Sequence, residues 1–73
     1  MARIVNKKEK REKILEAAIS VFAKKGTAKT KTADIAEAAQ IGKGTIYEYF
    51  QSKDEIIMAA FYYVIKKYLT TPP

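Results

Sequence analysis

Asp34 to Asp54 reads DIAEAAQIGKGTIYEYFQSKD, and this stretch decides the fold of the chain. Two short helical patterns meet at a tight, Gly-containing break at Gln40, Ile41 and Gly42. The second pattern, Lys43 to Tyr49, places Ile46 and Phe50 inward at i and i+4 and leaves Lys43, Gly44, Thr45, Tyr47 and Glu48 on its other sides. It is too short and too polar to be a core helix. A lysine, Lys53, then opens the next helix. A small polar helix followed by a cation suits presentation to a phosphate-lined groove, so the stretch reads as a helix-turn-helix that meets DNA.

Upstream, Ile14, Leu15, Ala18, Ile19, Val21 and Phe22 recur at three- and four-residue steps and predict one amphipathic helix over Lys7 to Lys25. Glu9 and Lys13 form a favourably ordered i,i+4 pair on its wet face. Lys24 and Lys25 occupy the last turn, where cations suit the helix dipole, and Gly26 supplies a left-handed cap. Thr27 to Thr32 is a polar loop. A second helix is expected to start near Thr30 to Thr32, with a hydroxyl accepting an orphan N–H, and to bury Ile35, Ala38 and Ala39 before ending near Ala39.

Downstream, Ser52-Lys53-Asp54-Glu55 is a capping box. It starts a fourth helix that runs to about Leu69, before Thr70-Thr71-Pro72-Pro73. Ile56 to Ile65 is an unbroken run without a charge, so this helix is apolar nearly all round. Ile57, Ala60, Phe61 and Val64 are expected to face the preceding helices, leaving Met58, Tyr62, Ile65 and Leu69 for something else. The expectation is a chain that forms the front end of a larger polypeptide; dimerisation through helix 4, or a bare apolar patch, is the alternative. The resulting division is a basic arm at 1–6, a DNA-binding domain at 7–52, and a linking helix from 53 to 73.

With 73 residues the chain is one domain. At this length only about 60% of the unfolded surface is buried, so stability is expected to be marginal. Without cysteine or histidine it has no disulfide, no thiolate site and no imidazole for metal or proton transfer. Net charge is +6, from 14 Lys and Arg against 8 Asp and Glu, and Arg3, Lys7, Lys8, Lys10, Arg11 and Lys13 concentrate the excess. Such a balance points to an anionic partner, nucleic acid or a membrane surface, although a charge run alone also serves as a solubilising tail. The Arg3, Lys7, Lys8 and Arg11 cluster reads as a long-range attractor with strong salt dependence; reaching a neighbouring phosphate or a minor groove is the alternative. There is no apolar run of the roughly 18 residues a bilayer span needs and no signal peptide, so the protein reads as cytoplasmic.

No carboxylate pair, Gly-rich phosphate loop or metal spacing suggests an enzyme, and no cofactor is expected. Lys43 can donate to guanine O6 and N7, and the Thr45 methyl can pack on a thymine methyl; Lys43 on phosphate alone is an equal alternative. Lys53 joins a charge to a helix N-terminus. Tyr62, Tyr63 and Tyr68 are expected to be packing residues. The competing binding mode is helix 1 docked on an anionic membrane, which its Ala17, Ala18 and Ala23 suit poorly.

Taken together, K-K-G at 24–26, T-K-T-A-D-I-A-E-A-A at 30–39 and I-G-K-G-T-I-Y-E-Y-F-Q-S-K-D-E-I-I at 41–57 resemble the N-terminal DNA-binding domain of the tetracycline-repressor (TetR) family of bacterial transcription regulators. The likeness covers about Lys8 to Phe61. It implies an all-α, three-helix helix-turn-helix bundle, with a fourth helix linking to a C-terminal domain that binds a small-molecule inducer and forms a homodimer. The implied partner is double-stranded DNA, a palindromic operator, under a repressor. By position, Thr32 resembles the residue that bonds a phosphate through hydroxyl and backbone N–H, with Lys31 adding charge. Lys43 and Thr45 resemble base-reading residues, and Gly44 the glycine that permits close approach. Tyr47 and Tyr49 resemble a phosphate-clamping pair, one ring packing inward, and Lys53 a phosphate-contacting lysine. The chain departs from the family at Gln40, where Gly is usual, and at Gly42, where Ser often caps. A non-Gly residue in a left-handed conformation costs on the order of 1 kcal/mol.

Overall fold

The computed structural model describes residues 7–69. They form an all-α bundle of α1 (Lys7–Lys25), α2 (Thr32–Ala39), α3 (Lys43–Tyr47) and α4 (Lys53–Val64), with α4 continued by a π-helical turn at Ile65–Leu69. The predicted arm at 1–6 and the chain after Leu69 lie outside the described residues.

α1 forms where its periodicity predicts and spends its stripe inward: Ile14, Leu15, Ala18 and Val21 are buried, and Ile19 and Phe22 pack partly against them. Gly26 closes it at φ +82, its N–H donating to the Phe22 carbonyl at 2.7 Å. The core continues through Ile35 and Ala36 of α2, Ile46 of α3, Phe50, and Ile56 and Ala60 of α4. Most of the apolar stripe of α1 is therefore inside the bundle and not free to lie on a membrane. Among the described residues no helix is long and apolar enough to cross one.

Five expectations change. α2 buries Ile35 and Ala36, while Ala38 is exposed and Ala39 only half-buried, because α1 approaches from the Ile35 side. No threonine hydroxyl caps α2: the Asp34 carboxylate accepts the Lys31 N–H at 2.9 Å, and the buried Thr30 donates its hydroxyl to the Gly26 carbonyl at 2.7 Å. A carboxylate is also the better partner for the positive end of a helix. α3 ends at Tyr47, two residues early, and the N–H groups of Tyr49 and Phe50 both turn back to the Ile46 carbonyl at 2.9 Å. α4 buries Ala60 as expected, but with Ile56 beside it, and leaves Phe61 66% exposed. Tyr62 and Tyr68 are exposed with Met58 and Leu69, so neither tyrosine is packed in the core; the Lys66 ammonium lies 5.7 Å from the centre of the Tyr62 ring.

Tyr63 does pack against the core, and its hydroxyl donates to Glu16 at 2.7 Å. That bond, followed by desolvation, raises the Tyr63 pKa above the ordinary tyrosine range. Lys67 completes the clasp between α1 and the last turn, donating to the Tyr63 hydroxyl at 3.3 Å, a contact that raises its own pKa.

The turn between α2 and α3 takes the strained form expected at Gln40, which sits at φ 61 and ψ 43. Its N–H donates to the Glu37 carbonyl at 3.1 Å and the Ile41 N–H to Ala36 at 3.0 Å, the two bonds of a Schellman cap. Ile41 packs on the core beyond it. Gln40→Gly removes a left-handed side chain that is otherwise exposed, at the cost of a freer unfolded chain. The expected net gain is about 0.5–1 kcal/mol, seen as a thermal midpoint higher by about 2–8 °C. An unchanged or lower midpoint would mean that the turn carries no strain.

Candidate nucleic-acid interface

α3 owes its orientation to a single buried residue of its own, Ile46, with Phe50 anchoring the chain just beyond. Gly42, in an extended conformation, provides its N-cap without a side-chain bond. Lys43 and Gly44 are therefore exposed, Thr45 is half-buried and Tyr47 is 48% exposed. A Cβ built on Gly44 meets nothing within 4 Å. The bundle does not need glycine there, so any requirement for it is external.

At the start of α2, Lys31 is exposed and Thr32 half-buried. Asp34 takes the Lys31 N–H, and Asp34 and Ile35 donate back to the Lys31 carbonyl. The N–H groups of Thr32 and Ala33, the first two of the helix, have no acceptor among the described residues. Such groups, together with the dipole, favour an anion. Asp34 is bridged to Lys25 at 3.0 Å. Its carboxyl is held below the usual range first by the Lys31 N–H and then by the Lys25 ammonium, so the cap persists at neutral pH and is lost only as acid passes below that range.

Tyr49 takes the inward position expected for one of the two tyrosines: its ring packs on the core. It also lines a cleft of about 330 Å³ with Lys7, Lys8, Arg11 and Glu48. The Arg11 guanidinium lies 5.1 Å from the centre of the Phe50 ring. The structure thus sets the basic first turns of α1 beside the residues that follow α3, a placement the sequence reading did not give. The signal was available: Arg11 stands three residues before Ile14, at the edge of the apolar stripe. Lys53 is engaged within the bundle. Its ammonium donates to the carbonyls of Thr27 at 2.9 Å and Thr30 at 3.0 Å, on the loop that leads into Lys31 and Thr32.

The family model described as "Bacterial regulatory proteins, tetR family" matches residues 14–60, which include α2, the turn, α3 and the first two turns of α4. The chain belongs to the TetR family. The HTH-type transcriptional regulator YerO of Bacillus subtilis is 42% identical over 57 residues, 78% of this chain and 20% of its own length. The HTH-type transcriptional regulator TtgR of Pseudomonas putida is 47% identical over 51 residues, 70% of this chain and 24% of its own. A probable acrEF/envCD operon repressor of Escherichia coli is 41% identical over 46 residues, 63% of this chain and 21% of its own. The chain therefore spans about a fifth to a quarter of the length of the curated relatives it matches. No solved structure matches significantly.

Within this TetR-family fold, Gly44→Ala separates two demands on one residue. In the free domain a methyl group meets open space, and replacing a helical glycine is expected to stabilise by about 0.5–1 kcal/mol. Against a duplex pressed onto α3, the same methyl is expected to weaken binding on the order of tenfold, the cost of overfilling a close contact. A thermal melt and a fluorescence-anisotropy titration check the two halves. Unchanged DNA affinity would show that nothing approaches Gly44.

Proposed function

We propose that this segment is the sequence-specific DNA-binding head of a transcriptional repressor. The observation that carries the reading is the exposure of Lys43, Gly44 and Tyr47 on a five-residue helix whose one buried residue is Ile46. A helix held from behind in this way presents its N-terminal end to a major groove. Lys43 and Thr45 are the readers of base edges, and Gly44 permits the approach. Thr32, with its unused N–H, and Lys31 bind phosphate on one side; the hydroxyls of Tyr47 and Tyr49 bind it on the other. The Lys7, Lys8 and Arg11 cluster beside Tyr49 adds attraction that weakens steeply with salt.

For the whole protein we propose a cytoplasmic homodimer on a palindromic operator, released by a small-molecule inducer bound outside residues 1–73. The relatives' greater length supports a further domain, and the exposed Met58, Phe61, Tyr62, Tyr68 and Leu69 supply apolar surface for it to cover. The likeness to a probable operon repressor of Escherichia coli supports repression. Selection of bound sequences from a random duplex pool with the full-length protein tests the reading. A two-fold symmetric motif is the expected result; a pool that shows no enrichment would refute sequence-specific binding.

A further inference from the structure

Lys53 is the first residue of α4, half-buried, and reaches across to the loop between α1 and α2. A cation in the first turn of a helix gains nothing from that helix's own dipole, which is positive there. The partial negative charge it needs comes from two carbonyl oxygens, Thr27 at 2.9 Å and Thr30 at 3.0 Å, which occupy two of its three N–H groups. Thr30 and Lys31 are similarly committed. The Thr30 hydroxyl holds the Gly26 carbonyl at 2.7 Å, its N–H meets Thr27 at 3.3 Å, and Asp34 fixes the Lys31 N–H. Thr30 is 1% exposed, so the segment is sealed from behind and open in front, where Lys31 and Thr32 stand.

We infer that Lys53 is a positioning residue: it fixes the Thr27–Thr30 segment to the start of α4 and so aims Lys31 and Thr32 at phosphate, without contacting phosphate itself. This rests on the DNA-binding reading and replaces the phosphate contact that family resemblance assigns to Lys53. Its action runs through Thr32, so the two residues are not independent. In Lys53→Met the stem remains and the donors are lost. Binding to a mixed-sequence duplex is expected to fall about tenfold, within the usual coupling between residues that act together, and Thr32→Ala is expected to add little in that background. The slope of log affinity against log salt is expected to stay where it was, since no counterion is released at Lys53.

The experiment uses the full-length protein, that duplex, the two single variants and the double variant, with amide exchange of the loop measured in the absence of DNA. Acetylation footprinting of the unaltered protein accompanies it and does not depend on any variant folding. Faster loop exchange, a non-additive cycle, and a Lys53 amine already slow to react in the free protein and little changed by DNA all support the inference. Additive losses, a slope lower by about 0.9 per head, or a Lys53 amine that reacts like Lys43 when free and is shielded by DNA would make Lys53 a phosphate ligand and overturn it. Unchanged affinity in Lys53→Met overturns it as well, leaving only a structural contact. A protein with no salt-dependent duplex binding sinks the DNA reading and the positioning role together; a slow Lys53 amine in that protein marks the failure as one of the reading and not of the contact.

Discussion

Phe50→Ala is expected to abolish the folded domain. Phe50 is 1% exposed and sits in the core with Ile14 and Leu15 of α1, Ile46 of α3 and Ile56 of α4. Arg11 lies on its ring face, so the substitution also removes a cation–π partner. Truncating a buried phenylalanine costs about 3–5 kcal/mol, through lost transfer energy and the cavity left behind. A chain of this size has a total stability of only about 3–10 kcal/mol, so the loss takes most or all of it. The check is a circular dichroism melt beside Phe50→Leu, which keeps most of the volume and is expected to melt cooperatively at a somewhat lower temperature. A cooperative Phe50→Ala melt near the original midpoint would mean that the ring is not the anchor of α3.

The second large effect concerns reading. In a dimer, one substitution acts at both half-sites, so a contact worth about 1–3 kcal/mol in one head is worth about 2–6 kcal/mol on the operator. For Thr45→Ala the expected outcome of sequence selection is a relaxed preference at one symmetric pair of positions, with the rest of the motif intact. For Lys43→Ala two patterns are separable. Loss of a guanine preference at one pair marks a base reader; a uniform loss across sequences, with a salt slope lower by about 0.9 per head, marks a phosphate contact. If Thr45→Ala leaves the preference profile as it was, Thr45 is not a reader.

Much of this architecture was legible because its signals are local. The bounds of α1, the left-handed Gly26, the strained Gln40 and the Ser52 cap each depend on residues within a turn of one another. Ser52 accepts the Glu55 N–H at 3.2 Å as the capping box predicts, although the Glu55 carboxylate reaches back one residue further, to Gln51. The inward face of α4 was legible only in part. Ala60 is buried as expected, but in a run that is apolar nearly all round periodicity cannot choose between Phe61 and the observed Ile56 as the residue buried with it. The site divides the same way. The exposure of Lys43 and Tyr47 follows from the pattern of α3, and the inward turn of one tyrosine was expected. The engagement of Lys53 was hidden, because its partners lie 26 and 23 residues earlier and are backbone carbonyls, which carry no mark in a sequence.

The single inward residue of α3 has a bearing on how such a head changes over time. Under the proposed reading, positions 43, 44, 45, 47 and 48 face the outside and give little to the core; exposed substitutions usually move stability by less than about 0.5 kcal/mol, with Gly44→Ala a stabilising exception. On that reading, preference for one duplex sequence over another can drift, or be redesigned, in small steps along a path on which every intermediate still folds. Ile46 and Phe50 allow no such freedom. Between them they keep the vocabulary of the helix open while fixing the place from which it is spoken.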